Sequence, residues 1–395
     1  MRAQVILEWK LFTQNIKNQL VFFLFIFLAL YAAFIIEPNY TPWRPLDANI
    51  YESEIEDAEA FLANNDPTLN PRMTEMFSNL IDSNTQLLEA IDAEDWNRVL
   101  EEEQNHYLDF VKLRYGEGGA YRDPYFYNYD EYTYISDIRQ GYAEGYTAER
   151  YQNYQMSDVS LSQSIIEERT VIQSLLRYMQ KWLPAILIIM AILYAVDIIP
   201  KDIKHPSVLQ SVPLSSYKAS WTKSLVIMLA YILTLLAGFL LFSVPVGLRH
   251  GLGPLNLSIP VFGWSYSLGH IWITATIGRM LFQSLVLLFL IVLLFIRGMS
   301  LLNIFIKNSF INLLFIPFVF ISNLWHSPGK TYVHAQYNYI PATYFRIGEA
   351  LTGQLNYLYL SNLISFGTGL MVLSGSFLLV ELLNLTGLKF QRYLS

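Results

Sequence analysis

Residues 20–36 run for 17 positions without one charged side chain, a stretch no soluble core requires. A helix of about 20 apolar residues spans the hydrocarbon core of a bilayer. Comparable stretches recur over 182–199, 224–246, 277–296, 309–324 and 358–385. A wholly soluble chain is excluded. The pattern predicts an α-helical polytopic membrane protein with about six transmembrane helices, the first at residues 20–36. A long polar segment, residues 37–181, separates the first from the second. Pro317 sits midway along the fifth, where a kink is expected.

Charge divides along the same line. Residues 37–181 carry 28 acidic and 11 basic side chains, a balance of −17, against 5 and 15, a balance of +10, elsewhere. The polar segment therefore offers no basic face to nucleic acid. With no cysteine in the chain, there is no disulfide framework, thiolate nucleophile or Cys-based zinc site.

Helical periodicity governs the polar segment. Met76, Phe77, Leu80, Ile81, Leu87, Leu88 and Ile91 form one stripe; Trp96, Val99, Leu100, Tyr107, Phe110 and Val111 form another. Breaks fall at Pro71 and at Gly116, Gly118 and Gly119. Residues 121–154 hold ten tyrosines, which predicts irregular structure with short, tyrosine-packed helices. A last helix is expected from an N-cap at Ser157 or Asp158. Its stripe of Ile165, Ile172, Leu175, Leu176, Met179 and Leu183 runs into the second crossing, so a continuous stalk is expected. The whole segment reads as a mainly helical extracytoplasmic domain between the first and second crossings. Its acidic, tyrosine-rich surface suits a cationic amphipathic peptide; equally, it suits plain solvation over a tyrosine-packed core.

Sidedness follows from Lys and Arg in the short loops. With the first residues in the cytoplasm, the inner segments hold Arg2, Lys10, Lys17, Lys201, Lys204, Lys218, Lys223, Arg297, Lys307, Lys389 and Arg392. The outer short loops hold Arg249, Arg279, Lys330 and Arg346. Both ends of the chain are thus expected inside a cell membrane and the acidic domain outside. Residues 1–19 place Val5, Trp9, Phe12, Ile16 and Leu20 on one helix face, suited to the membrane interface or to a cytosolic extension of the first span. The basic flank resembles a signal peptide, yet the run exceeds an h-region and Ala29, Ala32 and Ala33 lack cleavage-site spacing. An uncleaved anchor is expected. Residues 182–388 form a five-helix membrane domain with a cytosolic loop at 200–223 and a partly re-entrant outer segment at 325–357; 389–395 form a cytosolic tail.

The inner loop is the most informative stretch. Asp197 ends the second crossing; Val208, Leu209 and Val212 lie on a short amphipathic segment; Pro213, Leu214 and Ser215 make a turn; Lys223 heads the third crossing. This order resembles the permease subunits of bacterial type-2 ABC exporters. In that family an acidic residue ends the second span, a leucine-rich helix leads to a Pro-Leu/Val-Ser-Arg turn, and a lysine opens the third. Here Asp197 replaces the usual Glu, Lys204, His205 and Pro206 stand where Gly-Thr is common, and Ser216 replaces the Arg. Pro341 and Tyr344 resemble the family's Pro-x-x-Tyr element, with Gly353 and then Gly367, Gly369 and Gly375 following. The resemblance covers the membrane part and not the acidic domain.

The resemblance implies a permease, itself no enzyme and without cofactor. ATP would be bound by cytosolic ABC ATPase subunits, and a second permease copy or a related one would sit beside it in the lipid bilayer. The solute would be hydrophobic or amphipathic: a peptide, bacteriocin-like compound, drug or lipid. A short helix between two spans transmits force if apolar anchors such as Val208, Leu209 and Val212 seat in a groove of the ATPase. Without the resemblance, 200–223 reads as a basic loop obeying the positive-inside rule. The alternative for the whole chain is a membrane-anchored surface receptor or sensor without transport.

Other motifs carry less. Ser327–Thr331 imitates the end of a phosphate-binding loop, but Leu324 stands where its first glycine belongs. The six histidines show no H-E-x-x-H, and the acidic stretch around Asp130 lacks the glycine of a calcium loop. Arg279 with Gln283, one turn apart, face an internal cavity or snorkel to the outer interface. Asn362, Ser365 and Thr368 belong to a polar face of the last span, read as close helix packing or as lining a translocation path. Glu381 either pairs with a neighbouring helix or binds nothing.

Overall fold

A computed structural model describes residues 2–42, 45–64, 71–115, 145–197, 215–265, 269–306, 308–313, 337–359 and 361–394. Helix α1 (Arg2–Thr13) stops at Asn15, whose side chain accepts from the Lys17 backbone N–H and so caps α2 (Ile16–Tyr31). A π-helical turn, Ala32–Ile36, closes α2. Then come α3 (Ala48–Asn64), α4 (Pro71–Asp92), α5 (Trp96–Tyr115), a helix over 145–155 (α6), α7 (Gln163–Ile166), α8 (Val171–Gln180) and α9 (Leu183–Ala195). Helix α10 (Ser216–His250) precedes an antiparallel hairpin of β1 (Ser258–Ser265) and β2 (Gly269–Thr276), then α11 (Ile277–Phe305) and α12 (Ser309–Leu313). Two 3-10 turns, Tyr337–Tyr339 and Pro341–Phe345, lead to α13 (Ile347–Leu351), α14 (Gln354–Tyr359) and α15 (Phe366–Leu394).

Four of these helices are long and apolar enough to cross a membrane: Ile16–Ile36, Ser216–His250, Ile277–Phe305 and Phe366–Leu388. The bent pair Gln163–Gln180 with Leu183–Ala195 makes a fifth if counted as one span. The chain is a helical membrane protein. Exposed Phe23, Phe27, Leu229, Leu236, Phe282 and Leu382 form apolar faces that lipid tolerates and water does not.

The described residues divide into two units. The first comprises Met1–Asn39, Leu175–Arg249 and Leu281–Ser395. Its side-chain contacts give each helix a direction. Lys17 meets Asp197 and Glu37 meets Arg177, so α2 runs opposite to α8–α9. Phe25 lies against Gly238, and Arg249 donates to the Ala33 carbonyl, so α2 and α10 run the same way. A Cβ at Gly238 would stand 2.5 Å from the Phe25 ring, so any larger residue there would have to push that ring aside. Helix α10 opposes α9 through Tyr194 and Thr234, and opposes α15 through Trp221 with Phe377 and Tyr217 with Glu381. Helices α11 and α15 run parallel: Arg297 meets Glu381, and one turn or two further on Ile304 meets Gly387.

The second unit comprises Tyr40–Ser174 and His250–Met280. Its helices α3, α4 and α5 pack in sequence order, with Leu87, Val99 and Leu100 of the two expected stripes buried. Tyr51 donates to Glu103 at 2.9 Å inside this packing. The hairpin was not anticipated: residues 250–280 were assigned to the membrane part, but fold with the acidic unit. Thr274 donates to Asn153 of α6 at 2.8 Å, and the Ser258 backbone N–H donates to Ser157 Oγ. Burial, reinforced by the Glu168 carboxylate, holds the Tyr154 phenol protonated well above its ordinary range.

Two expectations fail. No continuous stalk enters the second crossing. The chain breaks at Glu168, whose φ of 56° is left-handed, and again at Lys181 and Trp182, where the flanking helices meet at 72°. Pro184 begins α9 at its first turn, where its missing N–H costs nothing, and its ring forbids continuation from α8. The last crossing also begins later than residue 358. Asn356 ties down both backbone groups of Ile364, and Ser365 caps the helix that starts at Phe366. Of the fifth crossing, 309–324, only Ser309–Leu313 falls within the described residues. Pro317 and Ser327–Thr331 fall outside them.

Candidate functional site

Three ion pairs of the first unit gather at the end of its helices away from Glu37 and Arg177. Lys17, at the start of α2, places its Nζ 2.7 Å from Asp197 Oδ1 and also donates to the Leu193 carbonyl. Asn15 donates to the other oxygen of Asp197 at 3.0 Å. Lys223, two turns into α10, lies 3.6 Å from Glu8 of α1, and both are largely buried. The two residues that flank the inner loop are therefore each held by the N-terminal helices.

Beside them lies a buried cluster. Arg297, on the last third of α11, is fully enclosed. Its Nε and Nη2 donate to the two oxygens of Glu381 on α15, and its Nη1 donates to Ser220 and Ser224 of α10 at 3.0 Å each. Tyr217 and Trp221 also donate to Glu381 Oε2, at 2.9 and 3.2 Å. The guanidinium stands 4.5 Å from the centre of the Trp221 ring, close enough for a cation–π contact. A bidentate arginine–carboxylate pair with its remaining groups bonded is the arrangement that makes a buried charge tolerable. Three helices, α10, α11 and α15, are joined by it.

Of the residues expected to couple to an ATPase, Asp197 and Lys223 occupy these ion pairs. Ser215 caps the start of α10, accepting from the Lys218 backbone N–H at 3.4 Å. Val208, Leu209, Val212, Pro213 and Leu214 lie outside the described residues. Of the candidate path residues, Arg279 is exposed near the start of α11, where its backbone N–H donates to Thr276, and Gln283 is half-buried. Asn362 is exposed; Ser365 and Thr368 bond to each other at the head of α15, a capping arrangement. Glu381 takes the first of its two readings and pairs with a neighbouring helix.

Arg297 is the residue that loop-charge counting misplaced. It is no loop cation but a side chain buried within α11. The signal lay in Ser220 and Ser224, one turn apart on the opposing helix and able to meet a guanidinium. Among the described residues no three of His, Asp and Glu come together as a metal would require. No family model matches the chain, and neither a curated protein nor a solved structure matches it.

Proposed function

We propose that this chain is the permease subunit of an ATP-driven ABC exporter for a hydrophobic or amphipathic solute, worked by separate cytosolic ATPase subunits. One observation carries the reading: ion pairs and hydrogen bonds to charged groups join α1, α2, α9, α10, α11 and α15 at the end where residues 198–214 link α9 to α10. Asp197 links that loop to α2 through Lys17. Tyr217, Trp221 and Lys223 link it to α15, α11 and α1 through Glu381, Arg297 and Glu8. A push on the loop would reach every helix through short, charge-assisted contacts. A surface receptor needs no such lever.

Six crossings suit this reading. Helices α11 and α15 run parallel, so a chain spanning the bilayer in both must return once between them, and 309–324 is the apolar stretch available. On this reading 1–15, 198–214 and the end of α15 share one side. The lysines and arginines of those segments favour the cytoplasm, leaving the acidic domain outside.

Purification of the chain from its native membrane in mild detergent tests the proposal. A nucleotide-binding protein is expected to accompany it. The double variant Leu209→Asp, Leu214→Asp should lose that partner while staying in the membrane, because a carboxylate in an apolar groove is desolvated without compensation. A wild-type chain that purifies alone, or a double variant that keeps its partner and ATP-dependent transport, overturns it.

A further inference from the structure

The polar cluster around Arg297 continues along α11 toward its end. Ser300, one turn on, shares a hydrogen bond of 2.9 Å with Ser220, which also bonds Arg297. One turn further, Asn303 Oδ1 accepts from Asn312 Nδ2 at 2.6 Å, and the same Nδ2 donates to the Ile306 carbonyl. On the parallel helix, Asn384 Nδ2 donates to the Arg297 and Val380 carbonyls. All three asparagines are completely buried.

Each leaves one amide group unused. Asn303 Nδ2, Asn312 Oδ1 and Asn384 Oδ1 have no partner among the described residues. Turning the amides over does not help, since Asn384 already donates to two carbonyls and would then oppose oxygen to oxygen. A buried polar atom without a partner is rare, and an ordered water is its usual remedy. Here one donor and two acceptors are left over, a set that suits water, which accepts and donates at once.

We propose that Asn303, Asn312 and Asn384 line a water-filled site within the helical bundle, continuous through Ser300 and Ser220 with the Arg297–Glu381 pair. The site takes water and other small neutral hydrogen-bonding molecules rather than ions, because the charges it adjoins among the described residues, Arg297 and Glu381, neutralise each other. This holds whether or not the chain is a permease.

The absence of cysteine makes the test direct. Asn303→Cys, Asn312→Cys, Asn384→Cys and Ser300→Cys are made singly in the full chain, in membranes. They are treated with a small, water-soluble methanethiosulfonate. Ile304→Cys, at the depth of Asn303 but facing Gly387, and Leu287→Cys, fully buried within the apolar run of α11, serve as references. Thiolate forms only where water reaches, so the site cysteines should react at least about tenfold faster than both references. Site cysteines as slow as Ile304→Cys overturn the proposal. Where an asparagine variant fails to fold, Ser300→Cys, nearly the same size as serine, decides alone by the same criterion.

Discussion

Both units bury an arginine–glutamate pair, and the two pairs differ in what they join. In the helical unit, Arg297 and Glu381 stand 84 residues apart and bridge two long helices, with α10 drawn in through two serines, a tyrosine and a tryptophan. In the acidic unit, Arg150 and Glu168 meet at 2.5 Å and fasten α6 to one turn. That turn holds Glu168 in left-handed backbone, and the Arg150 guanidinium rests 5.0 Å from the Tyr151 ring. The first pair decides which helices are neighbours; the second holds a local bend that the backbone disfavours. Lipid supplies no substitute partner for a severed pair, whereas water partly does, and the consequences of cutting each should differ accordingly.

The largest effect tests whether the two units face different surroundings. On intact cells, Asp95→Cys in the acidic unit should react with an impermeant thiol reagent, and Ser207→Cys in the inner loop should not. The opposite pattern would reverse the proposed orientation and remove the loop from reach of a cytosolic ATPase.

Next comes the bundle pair. Glu381→Ala strands a buried guanidinium and should cost about 3–5 kcal/mol, read as a fall in the unfolding midpoint of the detergent-purified chain. The double variant Arg297→Met, Glu381→Met should recover most of that loss, since it removes both charges at once. A double variant no better than Glu381→Ala would mean that the pair does more than neutralise itself.

The acidic unit should suffer least. Arg150→Met leaves Glu168 without its partner, but that carboxylate keeps 16% exposure, so the change should cost about 2 kcal/mol in the same measurement. A loss equal to that of Glu381→Ala would erase the contrast between the two regions.

Much of this was legible beforehand. The charge-free run before Ile36 and the stripes through Leu87 and through Val99 and Leu100 are local patterns, and each has a helix to show for it. The bend at Trp182 was equally local, written in Pro184, but a continuing apolar stripe outweighed it. The hairpin at 258–276 escaped because its tryptophans, glycines and isoleucines also suit a membrane boundary. Nothing in its alternation says that Thr274 of β2 will find Asn153 of α6, 121 residues away.

Composition and periodicity determined that this chain is helical, that most of its long helices suit lipid, and that its charge is divided between two kinds of surface. Those properties depend on neighbours a few positions apart, through backbone geometry and the cost of leaving polar groups unpaired in hydrocarbon. Only the tertiary structure decided that Arg297 belongs to Glu381 rather than to a loop, that Asp197 belongs to Lys17 and Lys223 to Glu8, and that α11 and α15 run side by side. Each of those choices pairs residues far apart in sequence. A charge finds its partner through the packing of whole helices, and no spacing along the chain encodes which helix will be adjacent.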